Sequence, residues 1–217
     1  MTSTPKNVAE SGQLVYAFPN KMGRILLLAM EEVMGQNGLT AILNLANLRH
    51  LQGRYPPNNF DLDFLFDDVS RLFTALDEMY GPRGGRALAL RIGRACFRFG
   101  IKDFGPMLGI ADLAFRVIPL DMKMRIGFEV AAEVFNKFTD HHVHLEEDED
   151  HLLWITERCG VCWGRQAAAP CCYATVGLLQ EGLYWVSGGL NFDVEEIACI
   201  AAGDETCTIR VAKQPTD

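Results

Sequence analysis

The chain has 217 residues, 49% of them apolar, and its 20 basic and 28 acidic side chains give a net charge of −8. An acidic chain without a basic tract argues against binding to the phosphate backbone of nucleic acids, and no apolar run reaches the roughly 18 residues that a membrane span needs. The first residues lack an apolar signal core and the number of cysteines, seven, is odd, so we expect a cytoplasmic protein whose cysteines are free thiols or metal ligands.

The first two thirds of the chain show the apolar periodicity of α-helices. Met22, Ile25, Leu26, Ala29 and Met30 recur at helical spacing, as expected for one face of a helix. Glycines and prolines mark the breaks between such segments. The predicted helices cover residues 21–34, 39–51, 62–80, 86–99, 104–117 and 119–138.

The pattern changes from residue 141 onwards. Two β-prone runs, 142–146 and 152–156, flank an acidic turn and predict a hairpin. A helix over 168–187 and a second hairpin over 191–211 follow. Helices followed by strands without alternation favour an α+β fold, with N-terminal helices packed on a small antiparallel sheet. We expect a single domain, 1–217, in which 1–140 is mainly helical and 141–217 is hairpin, helix and hairpin.

The last hairpin carries three candidate metal ligands. Glu196, Cys199 and Cys207 lie within twelve residues, and the tight turn between them would bring the two thiols together. Thiolates with one carboxylate suit Zn²⁺, which takes four tetrahedral ligands. The C-terminal helix and hairpin are therefore predicted to form a metal-binding element. The fourth ligand would be one of four upstream cysteines: Cys159, Cys162, Cys171 and Cys172.

Among these, Cys172 is favoured. It begins an apolar stripe with Val176, Leu179 and Leu183 at helical steps, and the start of a helix stabilises a thiolate. Cys171 points about a hundred degrees away around the helix.

The segment 165–212 resembles the 4-vinyl reductase domain. The shared pattern is Cys-x4-Gly at Cys172, followed by Glu-x2-Cys-x3-Gly-Asp-x2-Cys from Glu196 to Cys207. The resemblance identifies the chain as a bacterial stand-alone member of that family. It implies an α+β fold, often a homodimer, that encloses a small hydrophobic or aromatic ligand. In sensor members it also implies zinc, with the ligands Cys172, Glu196, Cys199 and Cys207.

The Cys159-x2-Cys162 pair is open to several interpretations. It could be an accessory metal or redox site, together with Cys171, or a structural turn.

Three functions compete. The first is a non-catalytic binding or sensing protein with an apolar pocket. The second, suggested by the family's name, is an enzyme or accessory protein of bacteriochlorophyll vinyl reduction. It is disfavoured because no nicotinamide or flavin motif is present and because a zinc ion with four protein ligands has no open position. The third is a subunit-interaction module, as in vesicle-tethering relatives. The predicted pocket residues are Phe97, Phe104, Met107, Phe115, Phe128 and Trp154.

Overall fold

The computed structural model describes residues 7–8, 14–105 and 118–216. Within these residues the chain forms four α-helices, eight strands and two short 3-10 turns. The helices are α1 (Asn20–Leu45), α2 (Phe66–Phe104), α3 (Leu120–Phe138) and α4 (Tyr173–Ser187). The strands are β1 (Asn7–Val8), β2 (Leu14–Val15), β3 (Ala17–Phe18), β4 (Phe64–Leu65), β5 (His142–Glu147), β6 (His151–Arg158), β7 (Phe192–Ala198) and β8 (Cys207–Pro215). The 3-10 turns are Arg49–Leu51 and Ile200–Ala202.

The main sheet is antiparallel and has the strand order β5-β6-β8-β7. Its two halves are the two hairpins, joined where β6 pairs with β8 so that Trp154 lies opposite Ile209. The strands β1–β2 and β3–β4 form two further antiparallel pairs. The prediction of an α+β fold with N-terminal helices and an antiparallel sheet is confirmed.

Helices α1 and α2 are each interrupted by one glycine. Gly35 and Gly81 have φ angles of 71° and 69°, a left-handed conformation that glycine adopts without a steric penalty. Both breaks fall where the sequence predicted one helix to end and the next to begin. Most of the predicted helix over 104–117 lies outside the described residues.

Helices α2 and α4 touch through their backbones. A Cβ atom on Gly177 would lie 2.1 Å from the carbonyl oxygen of Leu90, and one on Gly93 would lie 1.9 Å from the carbonyl oxygen of Ala174. Only glycine permits so close an approach. This crossing fixes the first turns of α4, and therefore Cys172, against the middle of α2.

One core group lies between the helices and a second lies between α3, α4 and the main sheet. Within the described residues, no helix is both long and apolar enough to cross a membrane.

Candidate ligand cavity and cysteine cluster

A cavity of about 240 Å³ lies between the four helices and the main sheet. Phe97, Phe104, Phe128 and Trp154, four of the six predicted pocket residues, line it. Met107 and Phe115 lie outside the described residues. The sequence did not indicate the contributions of α1 and the first half of α2, such as Ile25, Leu26, Val69 and Phe73, because a lining residue and an ordinary core residue share the same apolar spacing.

The size of the cavity suits a small molecule. It exceeds the roughly 150 Å³ of a cavity that binds benzene, and it falls below the roughly 300 Å³ at which pockets for drug-sized ligands begin. One or two aromatic rings would fill it.

The described lining of the cavity carries no charge at neutral pH. Its titratable side chains are His141 and Cys96, and it includes no Asp, Glu, Lys or Arg. Burial lowers the pKa of His141 to about 4 and raises the pKa of the Cys96 thiol to about 12. The Nε2 atom of His141 accepts a hydrogen bond of 2.9 Å from the backbone N–H of Gly160, and its ring stacks on Phe135. A neutral, apolar molecule is the ligand that such walls favour.

Six of the seven cysteines form a cluster beside the cavity. The cysteine cluster consists of Cys159, Cys162, Cys171, Cys172, Cys199 and Cys207. Its Sγ atoms are 3.4 Å apart between Cys162 and Cys207, 3.6 Å between Cys159 and Cys172, and 3.8 Å between Cys172 and Cys207. These separations exceed the roughly 2.05 Å of a disulfide bond. They are close to the edge of about 3.8 Å that sulfur ligands form around a tetrahedral ion with bonds of about 2.3 Å.

Four separate elements bring these thiols together. Cys159 and Cys162 lie in the turn after β6, and Cys172 is the N-cap of α4. Cys199 follows β7 and Cys207 begins β8. The predicted helix over 168–187 therefore begins five residues later than expected, and Cys172 caps it.

Glu196 completes the predicted ligand set. Its carboxylate lies with the Sγ atoms of Cys172, Cys199 and Cys207 in a group whose ligand atoms are all within 4.8 Å of one another. Its Oε2 atom accepts a hydrogen bond of 2.6 Å from the backbone N–H of Cys172, whereas its buried Oε1 atom has no hydrogen-bond partner. Burial, and then the negative charge of Cys199, raise the pKa of Glu196 to about 8. An unpaired buried carboxylate oxygen beside three thiols is what a missing cation would leave.

The thiols of the cluster are electrostatically coupled. Hydrogen bonds donated by neighbouring thiols lower the pKa of Cys199, the first of them from Cys162. The same kind of contact, first with Cys159, raises the pKa of Cys172. The protons of these thiols therefore come off in separate steps that belong to the cluster and not to single residues, and a bound cation would take their place.

The hairpin loop is held by its own backbone and by a neighbouring loop. The N–H of Ile200 points at the Sγ atom of Cys207, 3.3 Å away, and the N–H of Cys199 donates to Oδ2 of Asp204 at 2.8 Å. The N–H of Ala167 donates to the carbonyl of Ala201 at 2.8 Å. N–H groups directed at thiolates stabilise their negative charge.

Cys159, Cys162, Cys172 and Cys207 form a second group whose ligand atoms all lie within 4.8 Å of one another. Cys171 and Cys96 belong to neither group. The Sγ atom of Cys171 is 3.9 Å from that of Cys199, but the residue is only partly buried. Cys96 lines the cavity instead.

Comparison with known proteins identifies the fold. No family model and no curated protein matches the chain. Several solved structures match it. An Fe(II) unliganded H-NOX protein from K. algicida matches with a TM-score of 0.58 at 13% identity, over 92% of this chain and 97% of that one. An H-NOX protein from S. oneidensis in the Fe(II)NO state matches with 0.53 at 10% identity, over 89% and 99%. A mutant of T. tengcongensis H-NOX matches with 0.54 at 16% identity, over 88% and 96%. The chain has the H-NOX fold.

These findings correct two predictions. The identification as a 4-vinyl reductase domain is wrong, because no such family model matches and the structural neighbours are H-NOX proteins. The links to bacteriochlorophyll biosynthesis and to vesicle tethering rested on that identification and are unsupported. Zinc as the cofactor is wrong for the same reason: the neighbours are described as Fe(II) proteins or in terms of heme. The identification relied on the short motif from Glu196 to Cys207, and the spacing of a few ligands does not define a fold.

The described residues do not fit a heme. Heme iron needs an axial ligand such as a histidine or a thiolate, but Nε2 of His141 already accepts the N–H of Gly160, and burial raises the pKa of the Cys96 thiol to about 12, which disfavours the thiolate. The described lining offers no Lys or Arg for the propionates. A volume of about 240 Å³ is small even for drug-sized ligands.

Proposed function

We propose that this protein binds a small, neutral, apolar molecule in the cavity and does not transform it chemically. The observation that carries the proposal is the cavity itself, which has apolar walls and no charged side chain among its described lining residues. Apolar walls that remain in contact with water are unfavourable, so a recess of this volume favours an apolar molecule that covers them.

The titratable groups of the described lining support a binding role over catalysis. General acid–base catalysis works best when the pKa of the group lies near the working pH. Burial holds the pKa of His141 near 4 and that of Cys96 near 12. Neither group exchanges protons readily at pH 7.

We further propose that Cys172, Glu196, Cys199 and Cys207 hold a thiophilic metal ion in a structural role. Four protein ligands close a tetrahedral site. The metal site and the cavity share a wall, because Val161, between two cluster cysteines, and Ala174, two residues after Cys172, both line the cavity. A ligand in the cavity would press on the backbone that carries the thiolates, which supports a sensing role. Homodimer formation and a cytoplasmic location remain predictions.

The proposal is tested by calorimetric titration and thermal shift with benzene, toluene, indole and naphthalene. Binding to the folded state alone raises its stability by RT ln(1 + [L]/Kd), about 2.7 kcal/mol at a hundredfold excess over Kd. We expect one- and two-ring compounds to stabilise the parent and protoporphyrin IX to have no effect.

A cavity-filling variant supplies the control. Gly100 lines the cavity, and a Cβ atom there meets no atom within 4 Å. Gly100→Leu should abolish the ligand-induced shift, whereas Ala87→Leu, exposed on the same helix, should retain it. Equal shifts in both variants, or no shift in the parent with any compound, would refute binding in this cavity.

A further inference from the structure

We propose that the cysteine cluster holds two metal ions, which share the thiolates of Cys172 and Cys207. The second ion would be bound by Cys159 and Cys162 together with the two shared thiolates. This inference rests on the four-residue metal site proposed above and is independent of the ligand cavity. The ions are of the thiophilic class that takes tetrahedral sulfur ligands.

The first observation is a second group of four sulfurs, two of which, those of Cys172 and Cys207, also belong to the four-residue site. The Sγ atoms of Cys159, Cys162, Cys172 and Cys207 all lie within 4.8 Å of one another. Three of the six edges are 3.4, 3.6 and 3.8 Å long, at or slightly below the edge of about 3.8 Å expected around an ion with metal–sulfur bonds of about 2.3 Å. All four side chains are buried, between 1% and 3% exposed.

The second observation is that the two tetrahedra have one edge in common. Cys172, Glu196, Cys199 and Cys207 form the other group, with the Sγ atom of Cys199 3.9 Å from both Cys172 and Cys207. The common edge joins Cys172 to Cys207 and is 3.8 Å long. Two ions that occupy neighbouring tetrahedra with a common edge are bridged by the two sulfurs of that edge.

A second ion would use the two thiols that the first one leaves without a role. A single divalent ion in the four-residue site would leave Cys159 and Cys162 buried in direct contact with thiolates already bound to metal. Charge balance permits the second ion: one divalent ion with three thiolates and the carboxylate leaves a net charge of −2, and two divalent ions with five thiolates and the carboxylate leave the same −2. The second ion therefore adds no uncompensated buried charge.

The unpaired Oε1 atom of Glu196 supports the first of the two ions. It is buried without a hydrogen-bond partner although Oε2 is engaged by the N–H of Cys172. It can therefore serve as the terminal ligand of the first ion, while Cys199 provides the second. Each ion then has two ligands of its own and two shared ones.

Cobalt titration of the full chain tests the proposal. The reduced, metal-free protein is titrated with Co²⁺ and followed by visible absorption and by electron paramagnetic resonance. We expect two Co²⁺ per chain. The resonance intensity should rise up to the first equivalent and fall as the second enters, because bridging thiolates couple the two electron spins.

Two cysteine variants sharpen the test. Cys162→Ser should bind one Co²⁺ with an undiminished resonance signal, whereas Cys171→Ser, the matched control outside both groups, should bind two with coupling. Should Cys162→Ser fail to fold, the parent titration decides alone.

The remaining outcomes contradict the proposal in distinguishable ways. One Co²⁺ in the parent would overturn the second site and leave the four-residue site standing. Two bound Co²⁺ ions without coupling between their electron spins would contradict the sharing of Cys172 and Cys207. No bound Co²⁺, or iron isolated with acid-labile sulfide, would overturn both metal proposals without bearing on the cavity.

Discussion

At the scale of single residues, His141 is a neutral histidine enclosed by aromatic rings. Phe18, Phe66 and Phe135 lie with ring centroids 4.8, 4.9 and 5.4 Å from its imidazole. Its Nε2 atom accepts the N–H of Gly160, so the proton of the neutral ring lies on Nδ1. Burial, the largest effect, lowers its pKa to about 4.

This depressed pKa predicts a pH dependence of stability. Between pH 6.5 and 4 the unfolded chain binds a proton at His141 that the folded protein does not. The free energy of unfolding therefore falls as the pH falls through this window, by up to about 3 kcal/mol at 1.36 kcal/mol per pKa unit. His141→Gln keeps an acceptor for the N–H of Gly160 and should lose this part of the pH dependence. Urea unfolding at pH 7, 6, 5 and 4 measures the difference, and identical profiles for parent and variant would contradict it.

Glu196 shows what residue patterns could and could not predict. In β7, Phe192, Val194 and Glu196 face inward whereas Ile197 is 46% exposed, so the alternation buries a carboxylate where an apolar residue is usual. The proximity of Glu196, Cys199 and Cys207 could be predicted because one hairpin determines it. The proximity of Cys159 and Cys162 to these residues could not be predicted, because it depends on how β6 pairs with β8.

At the scale of elements, the crossing of α2 and α4 positions both candidate sites. Gly93 and Gly177 bring the helix backbones into contact, and the first turns of α4 then carry Cys172 to the cluster and Thr175 to the cavity wall. The sequence did present a signal, since these glycines interrupt apolar helical stripes. A glycine in a helix does not indicate which other helix packs against it, so the contact between α2 and α4 could not be predicted.

We expect Gly177→Ala to destabilise the fold. The added methyl would lie 2.1 Å from the carbonyl oxygen of Leu90 and 2.8 Å from its carbonyl carbon, so backbone must move. Overpacking of this kind lowers the free energy of unfolding by about 1–3 kcal/mol. Gly100→Ala is the matched control, because a methyl there meets no atom within 4 Å and alanine favours a helix interior by about 0.5–1 kcal/mol. Chemical denaturation of both variants measures the difference. If Gly177→Ala were as stable as Gly100→Ala, the close contact between α2 and α4 would be contradicted.

Elements defined by local periodicity could largely be predicted. The breaks at Gly35 and Gly81 and both hairpins follow from turn residues and apolar spacing. The start of α4 could not be predicted, because the sequence pattern does not show that Pro170 and the two cysteines after it lie before the helix, which begins at Tyr173.

At the scale of the whole molecule, the fold places an apolar cavity next to a thiol cluster. The segments around Val161 and Ala174, which carry cluster cysteines, also line the cavity. The α+β class could be predicted from the order of helices and strands. The likeness to H-NOX proteins could not, because it depends on how distant helices pack on the sheet, and the identity to those structures is only 10–16%. The motif-based identification failed because similar ligand spacings can occur on different folds.

We expect the cavity to receive a small apolar molecule. A crystal of the full chain soaked in iodobenzene tests it most directly, because iodine is located by its anomalous scattering. We predict an anomalous peak inside the cavity, against Phe128 and Trp154, that is absent from Gly100→Leu crystals soaked in the same way. A parent structure with side chains filling this space and no iodine within it would contradict the account.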